Sequence, residues 1–454
     1  MKKDGKKDRK SIFIIKNRRK TGMKRIFSFL LTLTVSLCCF SACKKSELDK
    51  NKPVTLTMWH VYGEQADSPM NRLVEEFNQT IGMEKGIIIN VTGMSNASYI
   101  GKKLLDAQAG KPDTGKMPDL FFGHKSNAVE IGAENLIDWK ELFSEKELAG
   151  FVPEFLSDGE ENGKLYVLPV TKSTFLLFIS GSEFERFSKD TGVTYESLAD
   201  WDGFLDAAAK YYEWSGGKPF CSFDYPMRNV ELFAMSNGSS DYMPGDWYNF
   251  DDAVFKDAFM TFAEAFTKGH IAISDLYSNT QVMTGEVPSG LGSSAAILYY
   301  NDTVTYADGT SEPMNLKILP MPQPNSDKKY ITQAGVGLCA YKTTEQKAEA
   351  AAVFAKWLTE SNRNLEFAAE SGYMPVTNAA FDKIKDYDFK NDNYKALYSA
   401  IQSSVENCTA VSESQDPEYY NKLINFYTYL REIQKNKALY DGNAETLWEK
   451  LKIQ

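Results

Sequence analysis

Two apolar stretches, residues 53–60 ("PVTLTMWH") and residues 86–94 ("GIIINVTGM"), decide the fold because a helix-like pattern lies between them. In the first stretch every second side chain is apolar, which is typical of a strand with one buried face. The second stretch is a short continuous apolar run, as expected of a buried strand. Strands that are joined through a helix predict a right-handed crossover and a parallel sheet.

The segment between these strands predicts an amphipathic helix. Ser68 followed by Pro69 is typical of a helix N-cap and a first helical residue. The apolar residues that follow recur on one helical face, and they are Met70, Leu73, Val74 and Phe77. A second helix, residues 99–110 ("YIGKKLLDAQAG"), and a third strand, residues 117–123 ("MPDLFFG"), continue the alternation.

The alternation of strands and helices also predicts which loops lie at the edge of the sheet where a ligand would bind. Ligands of open parallel sheets bind beyond the carboxyl ends of the strands. Residues 60–64 follow the first strand and residues 123–124 end the third. We therefore expect both segments to lie at the edge of a ligand site.

The rest of the chain has a largely helical texture. Residues 182–277 predict helices separated by loops rich in aromatic residues and glycine. Helical patterns return in residues 343–361 ("TTEQKAEAAAVFAKWLTES") and 419–434 ("YYNKLINFYTYLREIQ"). There is no internal repeat and no low-complexity linker, so these features favour two lobes built from interleaved segments.

The N-terminal region predicts export. Residues 26–40 form an uncharged apolar run of 15 residues behind the basic pair Lys24 and Arg25. Such a run is shorter than the ~20 residues that a membrane-spanning helix needs, and the layout is that of a secretory signal. Met23 opens a complete signal by itself, so an over-extended start at residues 1–22 is an open alternative.

Three cysteines crowd into residues 37–45, "LCCFSACKK". The next cysteine, Cys221, lies far along the chain, which argues against a metal-binding spacing. Residues 40–43, "FSAC", resemble a bacterial lipobox, and this resemblance implies cleavage before Cys43 and its lipidation. Cys38 and Cys39 are then removed with the signal. The alternative is an ordinary secretion signal that is cut nearby without a lipid.

The charge and the cysteine content of the chain limit its expected binding partners and its covalent cross-links. After removal of residues 1–42 the chain holds 39 basic and 59 acidic residues, a net charge of −20. Such a surface repels polyphosphates, so nucleic acid is not an expected partner. Three further cysteines, Cys221, Cys339 and Cys408, are widely separated and odd in number, so no disulfide framework is predicted.

Eight motifs occur in an order that resembles a known family. From about residue 53 to 383 they are "LTMWH", "MPDLFFG", "LIDW", "ENGKLYVLPV", "SGLGSSAAILYYND", "LKILPMP", "AGVGLCAYKTTEQKAEAAAVFAKWLTES" and "SGYMPVTNAAF". The succession resembles the extracellular solute-binding proteins, family 1, of ABC importers. The chain departs from the family at residues 176–184 ("LLFISGSEF"), where a Tyr-Asn pair usually follows the strand.

The resemblance implies an α/β, two-lobed type II periplasmic-binding-protein fold like that of maltose-binding protein. Each lobe is a mostly parallel sheet flanked by helices, and the chain crosses between lobes near residues 168–174, 322–333 and 372–375. The predicted division of the chain is a signal peptide at 1–42, a lipidated N-terminus and linker at 43–52, an N-terminal lobe at 53–170 plus 330–372, and a C-terminal lobe at 171–329 plus 373–454.

A sugar-binding site needs polar groups for hydroxyls and aromatic rings beneath the sugar ring. The candidate polar and backbone contacts are His60, Tyr62, Glu64, His124, Lys172, Ser173, Thr174, Asn301, Asp302, Gly335 and Tyr373. The candidate aromatic plates are Tyr99, Trp247 and Tyr300. Asn301 and Asp302 are placed after residues 295–300 ("AAILYY"), which read as a strand. A structural role remains the alternative for each of them.

The resemblance implies a substrate-binding lipoprotein that captures a sugar or oligosaccharide and delivers it to ABC permease subunits. It is expected to be a monomer held by the Cys43 lipid on the extracytoplasmic side of the cell membrane, without metal or cofactor. A receptor for glycerol 3-phosphate or a glycerophosphodiester is the first alternative. Those receptors carry an arginine in the region of residues 407–422, where this chain has none, so Lys172 or Arg228 would have to substitute. A sugar sensor or adhesin is the second alternative.

An enzyme is disfavoured. The chain has three histidines and lacks both a Gly-x-Ser-x-Gly elbow and a His-Glu-x-x-His motif. Residues 290–295 ("GLGSSA") imitate a dinucleotide fingerprint, but they lie before a strand-like run instead of a helix. Paired carboxylates such as Glu75 with Glu76 lie on polar helix faces and are expected to be solvated.

Overall fold

The computed structural model describes residues 46–62, 68–94, 97–112, 114–389, 391–414, 416–436 and 443–454. The predictions for the signal peptide, for Cys43 and for Glu64 lie outside these residues. Residues 48–454 form one unit that contains two five-stranded sheets.

The described residues form the following strands: β1 (Val54–His60), β2 (Ile87–Gly93), β3 (Leu120–Gly123), β4 (Glu160–Glu161), β5 (Lys164–Leu165), β6 (Leu168–Pro169), β7 (Phe175–Ile179), β8 (Cys221–Phe223), β9 (Ile271–Ala272), β10 (Ser289–Ser293), β11 (Thr303–Thr305), β12 (Ser311–Pro313), β13 (Lys317–Pro320), β14 (Tyr330–Gln333), β15 (Gly337–Ala340) and β16 (Thr409–Ser412). The α-helices are Pro69–Phe77, Met83–Lys85, Ala97–Gln108, Lys125–Ile131, Glu145–Leu148, Pro153–Asp158, Gly181–Thr191, Trp201–Trp214, Pro226–Ser236, Ala253–Lys268, Ser278–Met283, Glu345–Leu358, Ser361–Ser371, Asn378–Ile384, Asp392–Asn407, Pro417–Lys435 and Ala444–Lys452.

The first sheet has the strand order β2-β1-β3-β15-β6. β1 is parallel to both β2 and β3, which confirms the predicted parallel start of the fold. β15 joins this sheet from much later in the sequence and is antiparallel to β3 and β6. The N-terminal sheet is therefore closed by a strand that lies more than 200 residues downstream.

The helix Pro69–Phe77 forms as the sequence predicts. The Ser68 hydroxyl accepts a hydrogen bond from the Asn71 backbone N–H at 3.2 Å, and Pro69 is the first helical residue. Met70, Val74 and Phe77 are buried against the first sheet. This N-cap starts the helix directly after the loop that follows β1.

The second sheet has the order β13-β7-β10-β8-β9. β7 is antiparallel to β10 and β13, whereas β8 is parallel to β10 and β9. Its core is aromatic, with Trp201, Phe204 and Tyr211 fully buried on one helix. The predicted helical texture of residues 182–277 is confirmed, and the short strand β8 interrupts it.

The prediction of a strand at residues 295–300 is wrong. The strand is β10, and residues 294–299 form a 3₁₀ helix. The Ser293 hydroxyl accepts from the Ala295 backbone N–H at 3.3 Å and so caps this helix. The continuous apolar run of residues 295–300 imitates a buried strand, but the serine cap immediately before it favours a helical turn.

Three chain segments meet side by side where the chain passes between the sheets. The Lys172 backbone N–H donates to the Met374 carbonyl at 3.1 Å, and the Ser173 and Ala334 backbones exchange two hydrogen bonds of 2.9 and 3.0 Å. These residues belong to or adjoin the three predicted crossings. The lobe boundaries given above remain a prediction. The helix Asp392–Asn407 packs on β13 of the second sheet, and both belong to the predicted C-terminal lobe.

The Ser68 cap can be tested by substitution. We expect Ser68→Ala to lower the free energy of unfolding by about 1 kcal/mol, because a buried helix N–H loses its acceptor. Urea unfolding followed by circular dichroism measures the change. Ser403→Ala, at an exposed position inside the helix Asp392–Asn407, is the control and is expected to change it by less than about 0.5 kcal/mol. Equal effects of the two substitutions would contradict the cap.

Candidate functional site

Polar and aromatic side chains gather around the paired crossing segments. His124 follows β3, Lys172 to Thr174 connect β6 with β7, and Asp224 with Tyr225 follow β8. The Tyr225 ring stacks on Phe175, the first residue of β7, with 5.2 Å between ring centroids and planes 11° apart. The end of β8 therefore lies directly beside the first crossing.

Lys172 lies on the first crossing and is 3% exposed. Its ammonium forms an ion pair with the Asp158 carboxylate. Burial alone raises the pKa of Asp158, but the charge and hydrogen bond of Lys172 hold that pKa below its ordinary value. Burial and then the Lys172 charge lower the pKa of His124 to about 4, so the half-buried imidazole is neutral at physiological pH.

Arg228 is a second buried cation, also 3% exposed, on the helix Pro226–Ser236. Its guanidinium pairs with Glu231 at 3.0 Å and donates to the Val411 and Ser412 carbonyls of β16 at 2.8 and 3.0 Å. It also donates to the Thr332 hydroxyl of β14 at 3.1 Å. Arg228 thus uses its donors to hold β14 and β16 in place.

Three tyrosines expose their rings next to the crossing, and we call Tyr225, Tyr277 and Tyr299 the tyrosine lip. Their exposed fractions are 38%, 66% and 60%. Tyr225 follows Asp224, and Tyr277 precedes Ser278, whose backbone N–H donates to the Asp224 carboxylate at 2.7 Å. Tyr299 precedes Tyr300, and a Cβ at Gly290 would lie 2.7 Å from Ser278 and 3.2 Å from the Tyr300 hydroxyl, so the three tyrosines belong to neighbouring segments. Large exposed aromatic residues in a cluster mark a binding surface.

Asp224 lies behind the tyrosine lip. Its carboxylate accepts from the Ser278 backbone N–H at 2.7 Å and from the Ser278 hydroxyl at 3.1 Å. Burial raises the pKa of Asp224 to about 6. A Cβ at Gly292 would lie 2.1 Å from Asp224 Oδ2, so glycine in β10 makes room for this carboxylate.

Several buried polar atoms near the crossing have no hydrogen-bond partner within the described part of the chain. They include Thr174 Oγ1, Ser294 Oγ, Asn229 Oδ1 and Gln333 Oε1. Thr174 and Ser294 are neighbours, because the Ser294 backbone N–H donates to the Thr174 carbonyl at 2.8 Å. Buried polar groups are normally paired, so unpaired ones in a cluster are suited to a ligand.

Two predicted contacts, His60 and Tyr62, belong to the core. His60 is fully buried, accepts from the Tyr62 backbone N–H at 3.2 Å and shares a 2.9 Å hydrogen bond with the Asn71 amide oxygen. The Tyr62 hydroxyl lies 2.9 Å from the Thr171 hydroxyl, and its ring packs edge-on against Phe122. These contacts fit the structural alternative, in which both residues support the crossing.

The structure places the other predicted residues in two groups. Ser173, Thr174, Gly335 and Tyr373 lie on the crossing with Lys172, and His124 lies beside it. Gly335 has a φ of +120°, which favours glycine, and it packs beside the backbone of Thr171 and Lys172. Which of them contact a ligand stays a prediction.

The predicted aromatic plates lie in different surroundings. Tyr99 is exposed on the helix Ala97–Gln108, with the Lys103 ammonium 5.6 Å from its ring centre. Trp247 packs against Tyr248 and has the Lys422 ammonium 5.6 Å from its ring. Tyr300 is stacked on Phe178 with 4.9 Å between centroids, so that neighbour already covers one ring face.

Asn301 and Asp302 are exposed at the start of the β11–β12 hairpin. They follow a 3₁₀ helix instead of the predicted strand, and the Asn301 amide oxygen accepts from the Thr303 backbone N–H at 3.0 Å. Their role as ligand contacts is untested by this geometry and stays a prediction.

Sequence reasoning missed the tyrosine lip and Asp224. Tyr225 and Tyr277 lie in the aromatic-rich loops of the helical middle region, and Tyr299 lies in the misassigned strand. A signal was present, since Asp224 and Tyr225 directly follow the apolar residues 220–223 as rim residues do. Among the described residues, no group of three or more His, Cys, Asp or Glu side chains is arranged to hold a metal ion.

Comparison with known proteins defines the class. A model of the bacterial extracellular solute-binding protein family matches residues 72–396, and the chain belongs to this family. The resemblance seen in the sequence is thereby confirmed. Comparison with curated protein sequences gives no match.

Many solved structures have the same fold, and several of them bind a small molecule or are named for one. The cyclic α-maltosyl-1,6-maltose binding protein of Arthrobacter globiformis is 16% identical, with a TM-score of 0.65 over 88% of this chain and 98% of its own. A substrate-binding protein of Listeria monocytogenes, in complex with cycloalternan, is 16% identical with a TM-score of 0.66, over 88% and 97%. UgpB of Mycobacterium tuberculosis, in complex with glycerophosphocholine, is 15% identical with a TM-score of 0.67, over 88% and 98%.

These similarities confirm the two-lobed periplasmic-binding-protein fold, with sheets flanked by helices. In the part of the chain that the structure describes, none of the helices has the length and apolar character needed to cross a membrane.

The partly buried Asp224 carboxylate predicts a pH-dependent difference in stability. Because its pKa is raised in the folded protein, charging Asp224 destabilises the unliganded fold at pH values above about 6, and this penalty disappears as pH falls toward about 4. We expect Asp224→Asn to raise the melting temperature at about pH 8 and to match the parent protein near pH 4. Differential scanning calorimetry across this range measures both. A lower melting temperature of the variant at about pH 8 would contradict the prediction.

Proposed function

We propose that this protein is the substrate-binding component of an ABC importer, which captures a sugar or oligosaccharide at the crossing and delivers it to permease subunits. The observation that carries the proposal is the tyrosine lip around a crossing that also holds unpaired buried hydroxyls. Rings offer apolar faces to a sugar, and hydroxyl and carboxylate groups bind its hydroxyls.

The bound molecules of structural neighbours support a carbohydrate. The Arthrobacter globiformis protein is named for a cyclic maltosyl-maltose, and the Listeria monocytogenes protein holds cycloalternan. Both are neutral oligosaccharides whose recognition requires donors, acceptors and flat apolar surfaces. The tyrosine lip supplies surfaces of that kind here.

The Mycobacterium tuberculosis neighbour with glycerophosphocholine favours a second candidate ligand, a glycerol phosphate or glycerophosphodiester. A phosphate requires a cation that is free to pair with it. Lys172 is paired with Asp158, and Arg228 is paired with Glu231 and three further acceptors. Both candidate cations are therefore engaged within the protein, which favours the carbohydrate.

Binding is proposed to couple to closure of two lobes, residues 53–170 plus 330–372 and residues 171–329 plus 373–454. A ligand that contacts both lobes stabilises the closed state over the open one and shifts the population toward it. The permease then recognises the closed form. A sensor or adhesin would bind its ligand in the same way but would not feed a permease.

The proposal places the mature chain outside the cytoplasm as a monomer, held to the membrane by a lipid on Cys43. Members of this family bind extracellular solutes, and the proposed role includes no catalysis, cofactor or nucleic acid. The lipobox-like residues 40–43 support the anchor.

A thermal-shift screen tests the ligand class. The chain from residue 44 is screened against neutral sugars, oligosaccharides, amino sugars, polyols and phosphorylated glycerols. A ligand at a hundred times its dissociation constant stabilises the fold by about 2.7 kcal/mol, and we expect at least one saccharide to do so. If glycerol phosphates stabilise the protein and no saccharide does, the carbohydrate assignment is wrong.

The tyrosine lip is tested with the saccharide that the screen identifies. We expect Tyr277→Ala to weaken binding about tenfold, because a stacked sugar ring loses its apolar support. Ile424→Ala, at a residue that is also exposed but lies on the helix Pro417–Lys435, is the matched control and is expected to bind like the parent. Titration calorimetry measures both. Unchanged affinity of Tyr277→Ala would remove the lip from the site.

The anchor is tested in cells. We expect the full chain to incorporate labelled palmitate in cells. Cys43→Ser is expected to abolish the incorporation, because the thiol that carries the lipid is gone. Incorporation of label by the Cys43→Ser protein at the level of the parent would exclude lipidation at this residue.

A further inference from the structure

We propose that the captured saccharide carries a protonated amine and that Asp224, with Tyr225 and Tyr277 beside it, binds this amine. This inference rests on the proposed function and specifies its ligand. Three features of the site support this inference. They are the lack of a cation paired with Asp224, the unused hydrogen-bond acceptor sites of its carboxylate, and the aromatic rings around it.

The first step is the charge balance. Asp224 directly precedes Tyr225 and the helix Pro226–Ser236, and Arg228 and Glu231 lie on that helix. Arg228 forms its ion pair with Glu231. Within the described residues Asp224 has no ion-pair partner, and its hydrogen bonds come from the neutral Ser278. The described residues therefore supply no cation that pairs with Asp224.

The second step is the acceptor capacity of Asp224. A carboxylate can accept about four hydrogen bonds, and Ser278 supplies two donors. Gly292 leaves the space in which Oδ2 lies, since any larger residue would collide with it. The chain thus maintains a partly buried carboxylate with unused lone pairs. This burial raises the pKa of Asp224 and costs folding energy. A ligand ammonium would offset that cost.

The third step is the aromatic surroundings. Tyr277 directly precedes Ser278, whose backbone N–H donates to the Asp224 carboxylate at 2.7 Å, so Tyr277 lies beside this carboxylate. Tyr225 adjoins Asp224 in sequence and is fixed by its stacking on Phe175. The faces of aromatic rings attract cations, and a carboxylate beside such rings strengthens the attraction. Exposed rings around an unpaired acid form a site for an amine.

A primary ammonium fits this site better than the alternatives. It has three N–H donors that can fill the free acceptor sites of Asp224 while its charge lies against the rings. A quaternary ammonium has no donor, and a hydroxyl has no charge. Charged hydrogen bonds contribute about 1.5–3 kcal/mol, against about 1 kcal/mol for neutral ones, so an amine is distinguishable by affinity.

The experiment compares three β-1,4-linked series of matched length: glucose, N-acetylglucosamine and glucosamine disaccharides to tetrasaccharides. Titration calorimetry near neutral pH uses the chain from residue 44. We expect the glucosamine series to bind at least about tenfold more tightly than the other two. We expect Asp224→Asn to bring the three affinities to within about threefold of one another.

Asp202→Asn is the matched control, because it removes the same charge from an exposed position at the start of the helix Trp201–Trp214. It is expected to keep the preference for the glucosamine series. Loss of the preference in this variant would assign it to overall charge and overturn the proposal. Circular dichroism establishes that both variants are folded.

Two results overturn the inference while the proposed function stands. One is equal or tighter binding of a neutral series, with Asp224→Asn weakening all series alike. The other is the absence of measurable binding of the glucosamine series when the thermal-shift screen identifies another saccharide as a ligand. If glycerophosphocholine binds and no saccharide does, both the inference and the carbohydrate function are wrong.

Discussion

The constraint on which the structure depends is the pairing of three chain segments that are remote in sequence. Backbone hydrogen bonds join Lys172 to Met374 and Ser173 to Ala334. The first segment joins β6 of the first sheet to β7 of the second, and the second segment lies between β14 and β15. The third lies between the helices Ser361–Ser371 and Asn378–Ile384, so the pairing brings elements of both sheets together. Tyr62 and Tyr398 support it from the core, the latter by donating its hydroxyl to the Tyr373 carbonyl at 2.7 Å. The polar cluster at the crossing follows from this pairing.

Around the crossing, both buried cations form ion pairs and hydrogen bonds within the protein and so stabilise the fold. Lys172 neutralises Asp158, and Arg228 joins β14 and β16 to its helix through four partners. A buried charge must be paired to be tolerated, so neither cation is free for an anionic ligand. Asp224 differs, because its partner Ser278 is neutral and its carboxylate stays close to exposed rings. The site is therefore acidic and aromatic, and this character decides which solutes suit it.

Much of the fold could be predicted because its first elements carry local signals. Ser68 with Pro69 starts a helix, alternation defines β1, and the parallel β2-β1-β3 arrangement follows from the crossover rule. The error at residues 295–300 has a local cause as well, since Ser293 caps a helical turn whose apolar pattern imitates a strand. The crossing residues Lys172, Ser173 and Tyr373 were found through the family resemblance. The burial of His60 and Tyr62 could not be predicted, because contacts with distant residues do not appear in a local pattern. Their role as ligand contacts stays a prediction.

The sequence by itself determined the family, the alternation of strands and helices at the start of the fold, and the acidic charge, because each depends on neighbouring residues or on composition. Only the tertiary structure decided which side chains share the site. Tyr225, Tyr277 and Tyr299 are separated by up to 74 positions, and Asp224 is accommodated by Gly292 on another strand. Contacts of this kind arise from sheet order and from the approach of distant segments, and no short stretch of residues encodes them.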